Sequence, residues 1–270
     1  GEYMAAWEAL TATNDSAQQS LGKAATGVAV TPEIVYLHLP LFFSRKEAGT
    51  GSALALVSLQ YHAVTVDVRF NGHNAFDAAK IDASLNVEMC YLDVGERAFL
   101  ASQAREVLIT EVQLPVTAST GGGGVDGKHN VRIDLPFNHA VTELIIVGRA
   151  SDKSPSEGIA DTTNKPFDGI KLMLNHQNRF YDDSVDFEYL QQVARRCHSG
   201  QRKVDGLAVI PFSLNPEVGA EPSGSLNFSR IDRAELVLEG VPDNYQIAVY
   251  ARSMNILRYA MGLGGLSFAS

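Results

Sequence analysis

Two cysteines and a single tryptophan are all that 270 residues hold of those types. Cys90 and Cys197 lie far apart, with no CxxC and no Cys/His ligand spacing, which excludes a disulfide-stapled scaffold and suits a reducing compartment with both thiols free. No apolar run approaches the roughly 18 residues of a membrane-spanning helix. Basic clusters are missing too: 22 Lys and Arg face 31 Asp and Glu, for a formal charge of −9. With no Arg-rich tail to displace counterions from a phosphate backbone, direct nucleic-acid binding is not expected. Helical periodicity is scarce. It is confined to the opening EYMAAWEAL, with Met4, Trp7 and Leu10 on one face, to residues 94–106 and to residues 185–196. No initiator Met or signal peptide precedes that opening helix, so the chain reads as if it begins mid-domain.

The dominant period is two. In AVTVDVRF, Val64, Val66, Val68 and Phe70 share one side; in LNVEMCYLD, Leu85, Val87, Met89 and Tyr91 do; in VRIDLPF, Val131, Ile133, Leu135 and Phe137 do. These read as strands with one buried face. Denser apolar runs at 34–43, 143–148 and 206–214 predict strands buried on both faces, and 245–259 predicts a long terminal strand. Strands without regularly interleaved helices argue for an all-β sandwich or jelly roll. The helix at 94–106 divides two strand-rich blocks, which places a boundary between residues 1–98 and 99–270. The polar stretch 150–170 is a surface excursion by composition.

The strings that resemble catalytic motifs fail on mechanics. Within GGGGVDGKH, Gly122 to His129 is one residue short of a phosphate-binding loop. His129 stands where a hydroxyl is needed for magnesium, and a strand follows where a helix N-terminus should face the phosphates. The plain reading is a flexible Gly-rich loop. Asp182, Ser184, Asp186 and Glu188 open like a calcium loop, but Phe187 occupies the glycine position and Val193 that of the bidentate Glu. Histidines 38, 62, 73, 129, 139, 176 and 198 show no metal-ligand spacing and read as satisfied structural histidines. No GxSxG elbow is present. No catalytic residue, cofactor or metal site is therefore expected. Asn14-Asp15-Ser16 and Asn227-Phe228-Ser229 are acceptor triplets for N-glycosylation, of which Asn14 is the better candidate.

Several ordered blocks resemble the double jelly-roll major capsid proteins of nucleocytoplasmic large double-stranded DNA viruses, of phycodnavirus and iridovirus type. GEYMAAWEALT, LPLFFSR and ALALVSLQYHAVTVDVRF are similar to the later part of the family's first roll, and YLDVGERAFLASQAREVLITEVQ to the inter-roll helix and first strand of the second. LPFNHAVTELIIVGR, IPFSLNPEVGAEPSGSLNFSRIDRAEL and VYARSMNILRYAMGLGGLSF are similar to the second roll's signature blocks. The likeness implies tandem jelly rolls: residues 1–98 the C-terminal part of an incomplete first roll, residues 99–270 the second. It implies a structural, non-enzymatic role in the virion, with homotrimers forming pseudo-hexagonal capsomers that contact neighbouring capsomers and minor capsid proteins, assembled in the host cytoplasm. The chain departs from the family at Ala140, where Pro is common, at Ile146, where Trp stands, and in a less basic inter-roll helix, so a dominant and a minor shell protein both fit. The alternative is a carbohydrate-binding or cupin-like β-sandwich, which needs exposed aromatics or clustered ligands.

PSGSLNFSRID, residues 222–232, is expected to be a structural turn or interface element that sets the register of the strand AELVLE. Ser223 and Gly224 supply the reversal with Pro222, and Asn227 bonds the local backbone. Ala234, Leu236 and Leu238 share one face, with Arg233, Glu235 and Glu239 on the other. Arg230 and Asp232, two apart, point the same way and are expected to be a buried pair.

Overall fold

The computed structural model describes residues 2–11, 39, 41–44, 53–68, 83–153, 165–180, 183–199, 206–217 and 221–268. Helix α1 covers Glu2–Thr11, α2 Val94–Ser102 and α3 Phe187–Cys197. The strands are β1 (Arg105–Val112), β2 (Val116–Ser119), β3 (Lys128–Asp134), β4 (Ala140–Ala150), β5 (Gly169–Leu174), β6 (Gln177–Asn178), β7 (Val185–Asp186), β8 (Leu207–Pro211), β9 (Leu226–Asn227), β10 (Ala234–Pro242), β11 (Tyr245–Ala260) and β12 (Leu263–Leu266).

They form two antiparallel sheets. The main path of the first runs β1-β11-β4-β8, with β2 and β12 also on β11 and β9 on β4; that of the second runs β3-β10-β5-β6, with β7 on β5. Most neighbours along the two main paths, such as β1 with β11 and β3 with β10, come from distant parts of the sequence, the interleaved order of a jelly roll. The all-β expectation holds. The dense apolar runs at 143–148 and 206–210 are buried on both faces. Leu144 and Ile146 of β4, Ala208 and Ile210 of β8 and Val249 and Ala251 of β11 point into the main core, facing Leu172 of β5 and Leu236 and Leu238 of β10. Their alternates Ile145, Val147, Leu207, Val209, Ala248 and Tyr250 form a second cluster on the outer side of the same sheet, where Ala6, Ala9 and Leu10 of α1 cover them. Burying a leucine such as Leu10 is worth about 1.5–3 kcal/mol, which a short helix with little intrinsic stability needs.

Two expected strands are corrected. AVTVDVRF and LNVEMCYLD have the alternation, yet among the described residues they join no ladder, and Val64, Val66, Val68, Leu85, Val87, Met89 and Tyr91 are exposed. Alternation supplies an apolar face, but a strand also needs an edge to bond to. Phe70 and most of 34–43 lie outside the described residues; the described end, Leu41–Ser44, is a turn closed by Ser44 N donating to Leu41 O at 3.0 Å. Helix α2 stops at Ser102, four residues short of the expected 106, because Arg105 and Glu106 already pair with Tyr259 and Arg258 in β11. The expected boundary at 98/99 falls inside α2.

Candidate functional site: a buried ionic cluster beneath the first helix

The sheet's outer face carries charge where its two longest strands meet. Glu143 of β4 and Arg252 of β11 are direct cross-strand partners, on the same outward side as Ile145 and Tyr250. Both side chains are wholly buried, with Arg252 Nη1 donating to Glu143 Oε1 at 3.2 Å. The guanidinium also donates to the carbonyls of Pro216 and, at 3.3 Å, Glu217, and its Cζ lies 4.2 Å from the centroid of the Trp7 ring. A desolvated cation between a carboxylate, two carbonyls and an indole face is well matched, since none of these groups competes with water. The other Glu143 oxygen, Oε2, lies 2.9 Å from His198 Nε2, at the end of α3. Trp7 meets the His198 ring edge-on at 6.0 Å.

Polar ties surround this centre. Glu217 Oε1 accepts from Ser199 N at 2.7 Å and Ser199 Oγ at 3.0 Å. Farther along α1, Tyr250 OH donates to Glu2 Oε2 at 2.7 Å and Arg149 Nε to Glu2 Oε1 at 3.2 Å. Burial, then the Glu2 carboxylate, pushes the Tyr250 hydroxyl well above the ordinary phenol range, so it stays a proton donor. Burial, then the Glu143 charge, likewise raises the Cys197 thiol, which keeps it protonated and unreactive. The arrangement holds charge without offering an open position beside a nucleophile. It is a structural clasp.

Glu143 and Arg252 belong to no motif, and the sequence reading passes over them. The available signal was a charged residue inside a run apolar on both faces, as in TELIIVG and AVYARSM, which is tolerable only when paired.

The turn residues that the sequence singles out lie elsewhere, near the start of β4. Ser223 Oγ accepts from Asn215 N at 2.8 Å. Gly224 has φ of 144°, and a side chain there would press on Phe212 O at 2.9 Å, so glycine is required. Asn227 Oδ1 accepts from Ser229 N at 3.0 Å and caps the 3-10 turn Phe228–Arg230. Ser229 Oγ in turn accepts from His139 N at 2.9 Å, and buried Phe228 packs on Phe137 and Phe212. The segment therefore bonds to the first residues of β4. The expected buried Arg230/Asp232 pair is corrected: both residues are exposed and form no ion pair with each other, because the turn carries Phe228 inward and leaves the residues that follow at the surface. Asn14 and Asp182 lie outside the described residues.

The Gly122–His129 string is also not the flexible loop expected. Asp243 accepts from Gly123 N and Gly124 N, both at 3.1 Å, and its Oδ1 lies 2.7 Å from His129 Nε2. Those backbone bonds, then His129, hold the Asp243 carboxyl below its usual range against the cost of burial. Its own chain thus fills the place a phosphate would need. Asp186 precedes α3 and Glu188 pairs with Lys165, Nζ to Oε1 at 2.6 Å.

The fold has counterparts among known proteins. Residues 96–265 match the family described as large eukaryotic DNA virus major capsid protein, and residues 1–97 match the family described as major capsid protein N-terminus. The chain is 33% identical to the major capsid protein of Pyramimonas orientalis virus, over 94% of this chain and 65% of that one. It is 28% identical to the major capsid protein of Paramecium bursaria Chlorella virus 1, over 87% of this chain and 66% of that one. It thus spans about two thirds of the length of these relatives. A solved chain of the PBCV-1 virus capsid superposes with a TM-score of 0.70 at 25% identity, covering 99% of this chain and 79% of its own. These matches leave the carbohydrate-binding or cupin-like alternative unfavoured. Family match, sequence identity and superposition agree, and the chain belongs to the large eukaryotic DNA virus major capsid proteins.

Proposed function

We propose that the protein is a building block of an icosahedral virion shell, non-enzymatic, whose intact form is a homotrimer presenting six jelly rolls as a pseudo-hexagonal capsomer. The observation that carries the reading is the likeness to a capsid chain along 99% of this sequence. Residues 1–98 form the later part of a first roll and residues 99–270 the second. The partners are two further copies, neighbouring capsomers and minor capsid proteins, and assembly takes place in the host cytoplasm. A two-sheet sandwich suits such a wall because its interior is closed while its loops vary. Ser223, Gly224, Asn227, Arg230 and Asp232 act in this role as a fixed turn whose exposed Arg230 and Asp232 are free to meet a neighbouring subunit.

Light scattering on the intact protein tests the reading. A mass of three chains is expected; a stable monomer under native conditions would overturn the capsomer.

A further inference from the structure

His198 belongs to the clasp but differs from its neighbours in being able to lose its charge near neutrality. Its two ring nitrogens have different neighbours. Nδ1 lies 3.2 Å from the carbonyl oxygen of Ala194, a hydrogen bond, and Nε2 lies 2.9 Å from a Glu143 carboxylate oxygen, an ion-pair contact without hydrogen-bond alignment. Neutral imidazole carries one N–H and no charge, so only the imidazolium answers the carboxylate while donating to Ala194. We propose that the His198–Glu143 contact is a pH-sensitive latch that holds α1 on the sandwich at neutral and acidic pH and releases it as the medium becomes alkaline.

The surrounding groups define the sense of the switch. Glu143 faces the ring from β4, Arg252 from β11 shares that carboxylate, Glu217 approaches from the loop after β8, and Arg196 and Cys197 precede it on α3. Among the described side chains of α1, Trp7 meets the ring, and it is uncharged. Burial works against the imidazolium, but the Glu143 carboxylate, the Ala194 carbonyl and Glu217 outweigh it, and the group titrates above its ordinary 6.5. A basic group raised on folding stabilises fully below its unfolded value and loses that contribution as pH climbs through the folded one. Deprotonation sets a nitrogen lone pair against an acceptor oxygen and leaves Glu143 with Arg252 as its remaining charged partner. Trp7, packed on both Arg252 and His198, is where the loss reaches α1.

Trp7 is the sole tryptophan, so its fluorescence reports on the seat of α1 at the clasp. Acrylamide quenching of the full chain is followed from about pH 6 to about pH 9, upward from the ordinary histidine value. The quenching constant is expected to rise roughly twofold as local opening exposes the indole, and to stay flat in His198→Gln, which cannot titrate. An equal rise in His198→Gln, or a flat wild type, overturns the latch. Hydrogen exchange of residues 2–11 in the wild type, corrected for the intrinsic pH dependence and compared with β4, decides the matter even where the variant does not fold. Protection of α1 falling relative to β4 supports the latch, and parallel behaviour overturns it.

Discussion

Two arginine–acid combinations sit in the same sandwich and have opposite fates. Arg252 and Glu143 lie on adjacent strands, sealed by Trp7, with guanidinium and carboxylate both out of water. Arg230 and Asp232 lie two apart on one turn, both open to solvent and not joined. Sequence proximity favours the second combination, yet the first is the one the fold depends on. Proximity along a chain sets direction only, whereas desolvation makes a charge depend on its partner. An isolated charge at the surface is already satisfied by water.

The contrast can be broken most forcefully at the buried pair. Arg252→Ala leaves Glu143 without its cross-strand cation, and chemical denaturation should show a loss of about 3–5 kcal/mol, with Glu143→Ala comparable. A loss below about 1 kcal/mol in both would mean that water reaches the site.

Gly224→Ala comes next. The positive φ and the nearby Phe212 carbonyl should cost about 1–3 kcal/mol, read from the same transition.

Asp243→Asn should be smaller and local. It keeps one of the two acceptor oxygens, sets an NH2 group against the other amide and removes the charge, so exchange at the Gly123 and Gly124 amides should quicken while β10 and β11 stay protected. Because the folded carboxyl is depressed, its contribution is present above the ordinary aspartate value of 3.8 and fades as pH falls through the folded value. Loop protection in the wild type should therefore drop in acid and be insensitive to acid in Asp243→Asn.

Arg230→Ala and Asp232→Ala should move the stability of the chain by less than about 0.5 kcal/mol. A drop in trimer yield without a drop in chain stability would assign the pair to a subunit contact.

How much of this could be seen beforehand depends on whether the cause was local. The strands at 143–148 and 207–211 were legible because burial on both faces leaves a dense apolar run, and that at 245–259 by its length, and all three lie in one sheet. AVTVDVRF and LNVEMCYLD show the same chemistry by alternation, but pairing is a property of two segments, and one segment's period cannot announce the other. The clasp was illegible for a related reason. Its members, Trp7, Glu143, His198 and Arg252, are scattered along nearly the whole sequence, and nothing in the spacing of one points to the next. Asn227 was readable because its bond to Ser229 N is two residues away. The buried side chain of that turn was misassigned, since Phe228 takes the inward position that Arg230 and Asp232 were expected to share.

Strand β11 has a consequence in time. Its first half bonds to β2 and β4 and its second half to β1 and β12, so it is the central beam of the larger sheet although it follows β1, β2 and β4 in the sequence. While the ribosome is still upstream of Tyr245, β1 and β4 have no neighbour between them, and Glu143 has no arginine. The nascent chain must keep two apolar edges from meeting other chains until β11 emerges, a period during which aggregation competes with folding. Closing the sheet then joins residues far apart in sequence, which makes folding slow.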